Sequence, residues 1–228
     1  MPPADSVTFR AEAPQGVGLW VATVVSYVVS PLALPPLVYG AVLVHVGASW
    51  IDVARGAGIG FVFLSVVPLA YVAWMRLQGR IGSVEIRDRS KRTEPFLVTL
   101  AVGAIAFAVA LGAEMTGQRL LAALIGCHVL NTSLLFVVTA WWKISVHCAS
   151  VSGAVATLVF MQHHVAGTVL DAPVVGHGVL VGGALLVAVM IWARVRSRAH
   201  TPLQAVAGAG LGLASYGELL LLARTVGL

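Results

Sequence analysis

Long apolar stretches alternate with short polar ones along most of the chain. A helix that crosses a membrane needs about 20 mainly apolar residues. Seven stretches meet that length: 18–46, 55–75, 95–113, 119–140, 147–167, 174–193 and 202–223. The first contains Pro31, Pro35 and Pro36, so a kink or break is expected near its middle, where proline removes a backbone donor and crowds the preceding turn. The last is rich in small residues, with Gly208 and Gly212 four apart. That spacing lets helix backbones approach closely and predicts a packing contact. All six tryptophans (Trp20, Trp50, Trp74, Trp141, Trp142 and Trp192) fall near the ends of these stretches, where indole rings favour the membrane–water interface. The pattern predicts an all-α fold, a polytopic transmembrane bundle of about seven spans. A polar N-terminal tail over 1–17 would precede a single helical domain over 18–228. The first apolar stretch is too long for the h-region of a cleaved signal peptide.

Composition supports this class. Hydrophobic residues make up 59% of the 228 and charged residues 10%, against about 25% charged in a soluble domain. That is too little charge to cover a soluble protein of this size. The net charge of +5 does not point to nucleic acid, because the basic residues sit in short links between apolar stretches. With seven spans, one side holds Arg10, Arg76, Arg80, Arg87, Arg89, Lys91, Arg92, Lys143, Arg194, Arg196 and Arg198, and the other only Arg55, Arg119 and Arg224. The excess of Lys and Arg makes the first side cytoplasmic and the N-terminus with it. Cys127 and Cys148 lie in apolar stretches and are expected as packing residues rather than a disulfide.

Three segments on the basic side carry more polar chemistry than topology requires. They are Glu85-Ile-Arg-Asp-Arg-Ser-Lys-Arg-Thr-Glu-Pro95, Lys143-Ile-Ser-Val-His147 and Arg194-Val-Arg-Ser-Arg-Ala-His200. Two spans separate each from the next, so all three reach one face. Together they supply guanidinium groups, an ammonium, a hydroxyl and two imidazoles, the inventory of a phosphate site. Arg and Lys neutralise a phosphate dianion and its transition state. One imidazole can attack phosphorus while another protonates the leaving oxygen. Ser145, near a helix start, adds a hydrogen bond beside a favourable dipole. Basic residues at cytoplasmic helix ends also serve simply as anchors.

The third segment resembles the last motif of the type 2 phosphatidic acid phosphatase superfamily of membrane lipid phosphatases. That motif runs Ser-Arg, five residues, His, three residues, Asp, then a small-residue helix. Here it reads Ala193-Arg194, five residues, His200, three residues, Gln204, then a glycine- and alanine-rich stretch. The second segment, Ile144-Ser145-Val146-His147, resembles the family's Pro-Ser-Gly-His. The counterpart of its Lys, six residues, Arg-Pro is Glu85, six residues, Arg92-Thr93. The resemblance covers about residues 55–215. It implies a six-helix phosphatase-like core, His200 as nucleophile and His147 as general acid. Arg92, Lys143, Ser145 and Arg194 would hold phosphate, and no metal or cofactor would be needed. Gln204 stands where the family has Asp, and Glu85 where it has Lys. A glutamine can accept a hydrogen bond from an imidazole but cannot stabilise an imidazolium by charge.

The function expected from the resemblance is hydrolysis of a lipid phosphate or diphosphate, polyprenyl or glycerolipid, at the cytoplasmic face, with that lipid as the partner. Two other classes compete. One is a transferase or cyclase acting on a prenyl diphosphate, which normally needs two Asp-rich motifs for Mg²⁺. Here the carboxylates Glu85, Asp88 and Glu94 all share one loop. The other is a degenerate family member that binds an anionic lipid without catalysis. Elsewhere, His128 and Asn131 fall one turn apart near the middle of a span, and an ionisable group at that depth is a candidate intramembrane polar site. An interhelical hydrogen bond is the alternative. His163, His164 and His177 are expected in outer loops, and Glu114 and Glu218 near the outer interface.

Overall fold

The computed structural model describes residues 16–83, 86 and 88–226. Glu85 and all but the last two residues of the polar tail lie outside them. The described residues form helices and no strand. In chain order these are α1 (Val17–Val28), α2 (Leu34–His45), α3 (Trp50–Ile59), a π-helical stretch (Gly60–Val66) and α4 (Val67–Leu77). After a 3-10 turn (Arg89–Arg92) come α5 (Thr93–Gly112), α6 (Gln118–Trp141), α7 (Val146–His164), α8 (Pro173–Arg196) and α9 (Pro202–Val226).

Five helical rods are long and apolar enough to cross a membrane: Trp50–Leu77, Ser90–Gly112, Gln118–Trp141, Pro173–Arg196 and Pro202–Thr225. That is compatible with an integral membrane protein. Two other expected spans take a different form. The stretch 18–46 is broken into α1 and α2, of 12 residues each. Each is about 18 Å long, short of the roughly 30 Å hydrocarbon core. The 19-residue α7 carries His147 at one end and Gln162, His163 and His164 at the other. It lies inside the bundle, packed on α2, α8 and α9.

The proline-rich stretch accounts for the break. Pro31 sits in the turn after α1, while Pro35 lies in the first turn of α2, where a missing N–H removes no helical bond. The Ser65 hydroxyl donates to the Leu32 carbonyl freed at the break. Ser65 belongs to the π-helical stretch, and Pro68 explains that stretch. Proline cannot donate to the carbonyl four residues back, and the preceding Val67 N–H reaches Val62 instead, five back. The wider turn keeps Trp50–Leu77 a continuous rod.

The closest helix contact is α7 against α9. A Cβ at Gly208 would overlap the Ser145 carbonyl oxygen, and one at Gly212 would overlap the Ala149 carbonyl and Ser152 Oγ. The two backbones touch because neither glycine has a side chain. Ser152 Oγ donates across the contact to the Ala209 carbonyl at 2.7 Å, and the Ser145 N–H to the Gln204 carbonyl at 3.2 Å. This is the packing role that the glycine spacing predicts.

At the opposite end from the basic residues, the fully buried His45 pins the link between α7 and α8. Its Nε2 bonds the Val165 carbonyl at 2.9 Å. Its Nδ1 accepts from the N–H groups of Leu170 at 3.1 Å and Val169 at 3.3 Å. Two backbone donors on Nδ1 place the ring proton on Nε2.

The tight glycine contact makes a direct prediction. Gly212→Ala should destabilise the protein by about 1–3 kcal/mol, the usual cost of overpacking. Gly210→Ala, two residues away with open space at its Cβ, should be neutral or slightly stabilising, since alanine favours the helix. Thermal melting of purified protein in detergent reads both. Equal melting temperatures for the two variants would refute the contact.

Candidate functional site

The α7–α9 contact fastens the second and third polar segments together. Ser145 is the N-cap of α7, and its Oγ accepts from the Cys148 N–H at 3.3 Å. It is fully buried, with its own N–H bonded to the Gln204 carbonyl. His147 follows in the first turn of α7. On the other side, α8 ends in a tight turn. The N–H groups of Ala199 and His200 both reach back to the Arg194 carbonyl at 3.2 Å. Arg198 takes a left-handed conformation, φ 53°, as helix C-termini commonly require, though glycine usually serves there.

Thr201 and Gln204 then start α9 as a reciprocal pair. The Thr201 N–H donates to Gln204 Oε1 at 3.1 Å, and the Gln204 N–H donates to Thr201 Oγ1 at 3.3 Å. This is a capping box, in which two donors left without helical partners are satisfied by each other's residues. Gln204 lies beside His200, where its position in α9 predicts it, but its carbonyl oxygen is engaged by Thr201. His200 Nδ1 is buried and has no hydrogen-bond partner.

Three cations act on His200. It is only 8% exposed, and burial pushes its imidazole down to about 3, helped by the charges of Lys143, Arg194 and Arg92 in that order. The nearby Gln204 side chain opposes this weakly. Arg92 also acts on His147, whose ring faces the Ser26 backbone of α1. The segments are tied by further bonds. Lys143 Nζ donates to the Ala199 carbonyl at 2.9 Å, one residue before His200. Arg92 Nε donates to the Ile86 carbonyl at 2.8 Å, and its buried Nη1 has no partner. Arg194 is 4% exposed. The fold thus brings Arg92, Lys143, Ser145, His147, Arg194, His200 and Gln204 to one end of the bundle.

The loop carboxylates are engaged locally. Asp88 accepts from the Ser90 N–H and hydroxyl at 3.0 and 2.8 Å, and it also acts on Arg92. Glu94 is held by Arg80 at 2.7 Å and by the Tyr71 hydroxyl at 2.9 Å.

Deeper in the bundle, Asn131 takes the interhelical role. Its Nδ2 donates to the Leu211 carbonyl and to Ser215 Oγ, both at 3.2 Å. Its neighbour His128 does not; it makes no hydrogen bond to a described residue and lines a cavity of about 210 Å³. Glu218 corrects the sequence expectation. It is half-buried and packs inside the bundle, accepting from Cys127 Sγ at 3.2 Å, because the small-residue face of α9 turns it toward α6. Cys127 and Cys148 are buried and unbridged. His163, His164 and His177 also differ from expectation, since they lie within helices rather than loops. His164 bonds the Tyr216 hydroxyl at 2.8 Å, which extends α7 to that point. Tyr39, in the cavity wall, has a buried hydroxyl without a partner; nothing in its apolar sequence context marks it.

No family model, curated protein or solved structure matches the chain.

The buried imidazole links stability to pH. With its folded pKa near 3 and an unfolded value near 6.5, His200 binds a proton in the unfolded chain but not in the folded one across that interval. Stability contributed here is therefore present above pH 6.5 and lost as pH falls below it. Melting temperatures in detergent between pH 7.5 and 5.0 should fall more for the wild type than for His200→Asn. Parallel losses would show that the imidazole is not held neutral.

Proposed function

We propose that the chain is a membrane-embedded, phosphatase-like protein. It would hold the phosphate or diphosphate head of a membrane lipid among Arg92, Lys143 and Arg194 at the cytoplasmic end of a seven-span bundle, with the N-terminus on the same side. The observation that carries this reading is the buried His200 under the charge of three cations. Such a cluster of positive groups suits a multivalent anion. Among the described residues of the first polar segment, the carboxylates Asp88 and Glu94 are already bonded to Ser90, Arg80 and Tyr71. Their engagement also disfavours a prenyl diphosphate transferase or cyclase that would need them for Mg²⁺.

In the proposed reaction a nitrogen of the neutral His200 ring attacks phosphorus. The bond from phosphorus to the lipid oxygen breaks, and His147, protonated when the negative phosphate binds beside it, gives that proton to the leaving oxygen. Water then attacks the phosphohistidine, His147 takes up the proton released, and inorganic phosphate leaves with the imidazole restored. The arginines and Lys143 stabilise charge on the phosphoryl oxygens in both steps. A depressed His200 pKa favours the attacking, unprotonated form at neutral pH.

A binding role without turnover is the second reading, and Gln204 is its support. Its Oε1 also accepts from the Thr201 N–H, its effect on His200 is weak, and it carries no charge to stabilise the imidazolium gained on attack. Loss of such a charge lowers turnover by about 10⁴ in a comparable site.

Purified protein assayed on a lipid phosphate, with and without EDTA, should release phosphate slowly and independently of metal. His200→Ala should abolish the release. Gln204→Asp, which restores a carboxylate one turn into α9, should raise it by at least tenfold. A folded Gln204→Asp protein with no detectable hydrolysis, still binding the lipid phosphate, would leave binding as the function.

A further inference from the structure

The cavity lies where the helices depart from regularity. The break at Pro31 and Leu32, Leu64 of the π-helical stretch, and Pro68 just after it all contribute to its wall. Broken backbone within a membrane is tolerated where it lines a cavity. One stripe of α6 faces it, with Leu124, His128 and Leu135 among the residues on that stripe. At about 210 Å³ it is larger than the roughly 150 Å³ cavity that accepts benzene in an engineered protein core.

Unlike such a core cavity, this one has polar groups without partners. Tyr39 is 4% exposed, and its hydroxyl makes no hydrogen bond. His128, on the facing helix α6, likewise makes none to a described residue. A buried hydroxyl whose hydrogen bond is left unmade costs free energy, and in most proteins such groups find a protein or water partner; His128 is half-buried. Thr132 and Ser150 add hydroxyls to the same wall. Among the described residues no carboxylate or guanidinium lines it, so a charged ligand meets no counter-charge from them.

We propose that this cavity binds a neutral, mainly apolar molecule through one oxygen acceptor, a carbonyl, which takes a hydrogen bond from the Tyr39 hydroxyl and lies beside His128. The apolar part fills the space among Leu32, Val38, Leu64 and Leu124. The carbonyl comes either from an ester in the tail of a lipid held at the basic cluster or from a separate membrane molecule. The chemistry is the same for both, and the site stands without the phosphatase reading.

The test uses the purified full chain in detergent and two probes of nearly equal shape, acetophenone and ethylbenzene. Bound acetophenone should show a lowered carbonyl stretching frequency, the mark of an accepted hydrogen bond. Tyr39→Phe should remove that shift and weaken binding about tenfold, the scale of one hydrogen bond. His128→Leu tests the second polar wall and should also weaken binding. Ethylbenzene should compete about tenfold less well than acetophenone against the wild type and equally well against Tyr39→Phe. The proposal is overturned if no bound population forms, if ethylbenzene competes equally against the wild type, or if Tyr39→Phe keeps the shifted band. Displacement by a short-chain diacyl glycerol phosphate but not by a polyprenyl phosphate assigns the carbonyl to the ester of a lipid phosphate. Displacement by neither assigns it to a separate molecule, and the cavity then holds whatever becomes of the phosphatase reading.

Discussion

Two glycines on α9 allow its backbone to lie directly on α7, and the arrangement of the basic end depends on that contact. Helices in a lipid environment gain little from excluding water from one another, so close packing and interhelical hydrogen bonds hold them. Gly208 meets the N-cap of α7 and Gly212 meets the following turn. The contact therefore fixes the axial position of α9 where α7 begins. The Ser145 N–H on the Gln204 carbonyl then joins the residue before His147's turn to the residue that caps the helix after His200. Two segments almost sixty residues apart become one surface.

That surface concentrates positive charge where little water reaches. Backbone carbonyls supply part of the compensation, with Lys143 on Ala199 and the Arg92 Nε on Ile86. These bonds position the cations around His200. Burial, and then the charges of Lys143, Arg194 and Arg92, keep the His200 ring unprotonated.

Much of the helical layout is legible in the sequence because its causes are local or periodic. The long apolar runs, the break at Pro31 and the glycine pair each need only neighbouring residues to be recognised. The placement of Arg92, His147, Arg194 and His200 at one end matches the even number of apolar stretches between their segments. The role of Gln204 was within reach of the same reasoning, since Thr201-x-x-Gln204 is a capping signature; comparison with an aspartate motif directs attention to the imidazole instead. Other features depend on which helices meet. His45 reads as one polar residue at the end of an apolar run until the link after α7 folds over it. Glu218 turns inward because α9 has small residues around it, and Tyr39 becomes a cavity residue only when α2 stops short of crossing. The form of the first expected span shows the same limit, because a proline announces a break but not the paths of the two halves.

The π-helical stretch has a consequence for the rotational phase of its rod. Each residue advances an α-helix by about 100°, so a single widened turn offsets everything beyond it relative to everything before. In the rod Trp50–Leu77 the early part sets its face toward α2, where Gly56 meets Leu43 and Gly60 meets Tyr39. The later part aims Tyr71 at Glu94 and Trp74 at Arg80. A uniform helix would put those two sets of neighbours out of angular agreement. Pro68 thus acts as a gear offset between the two halves of the rod, letting each half face its own neighbours.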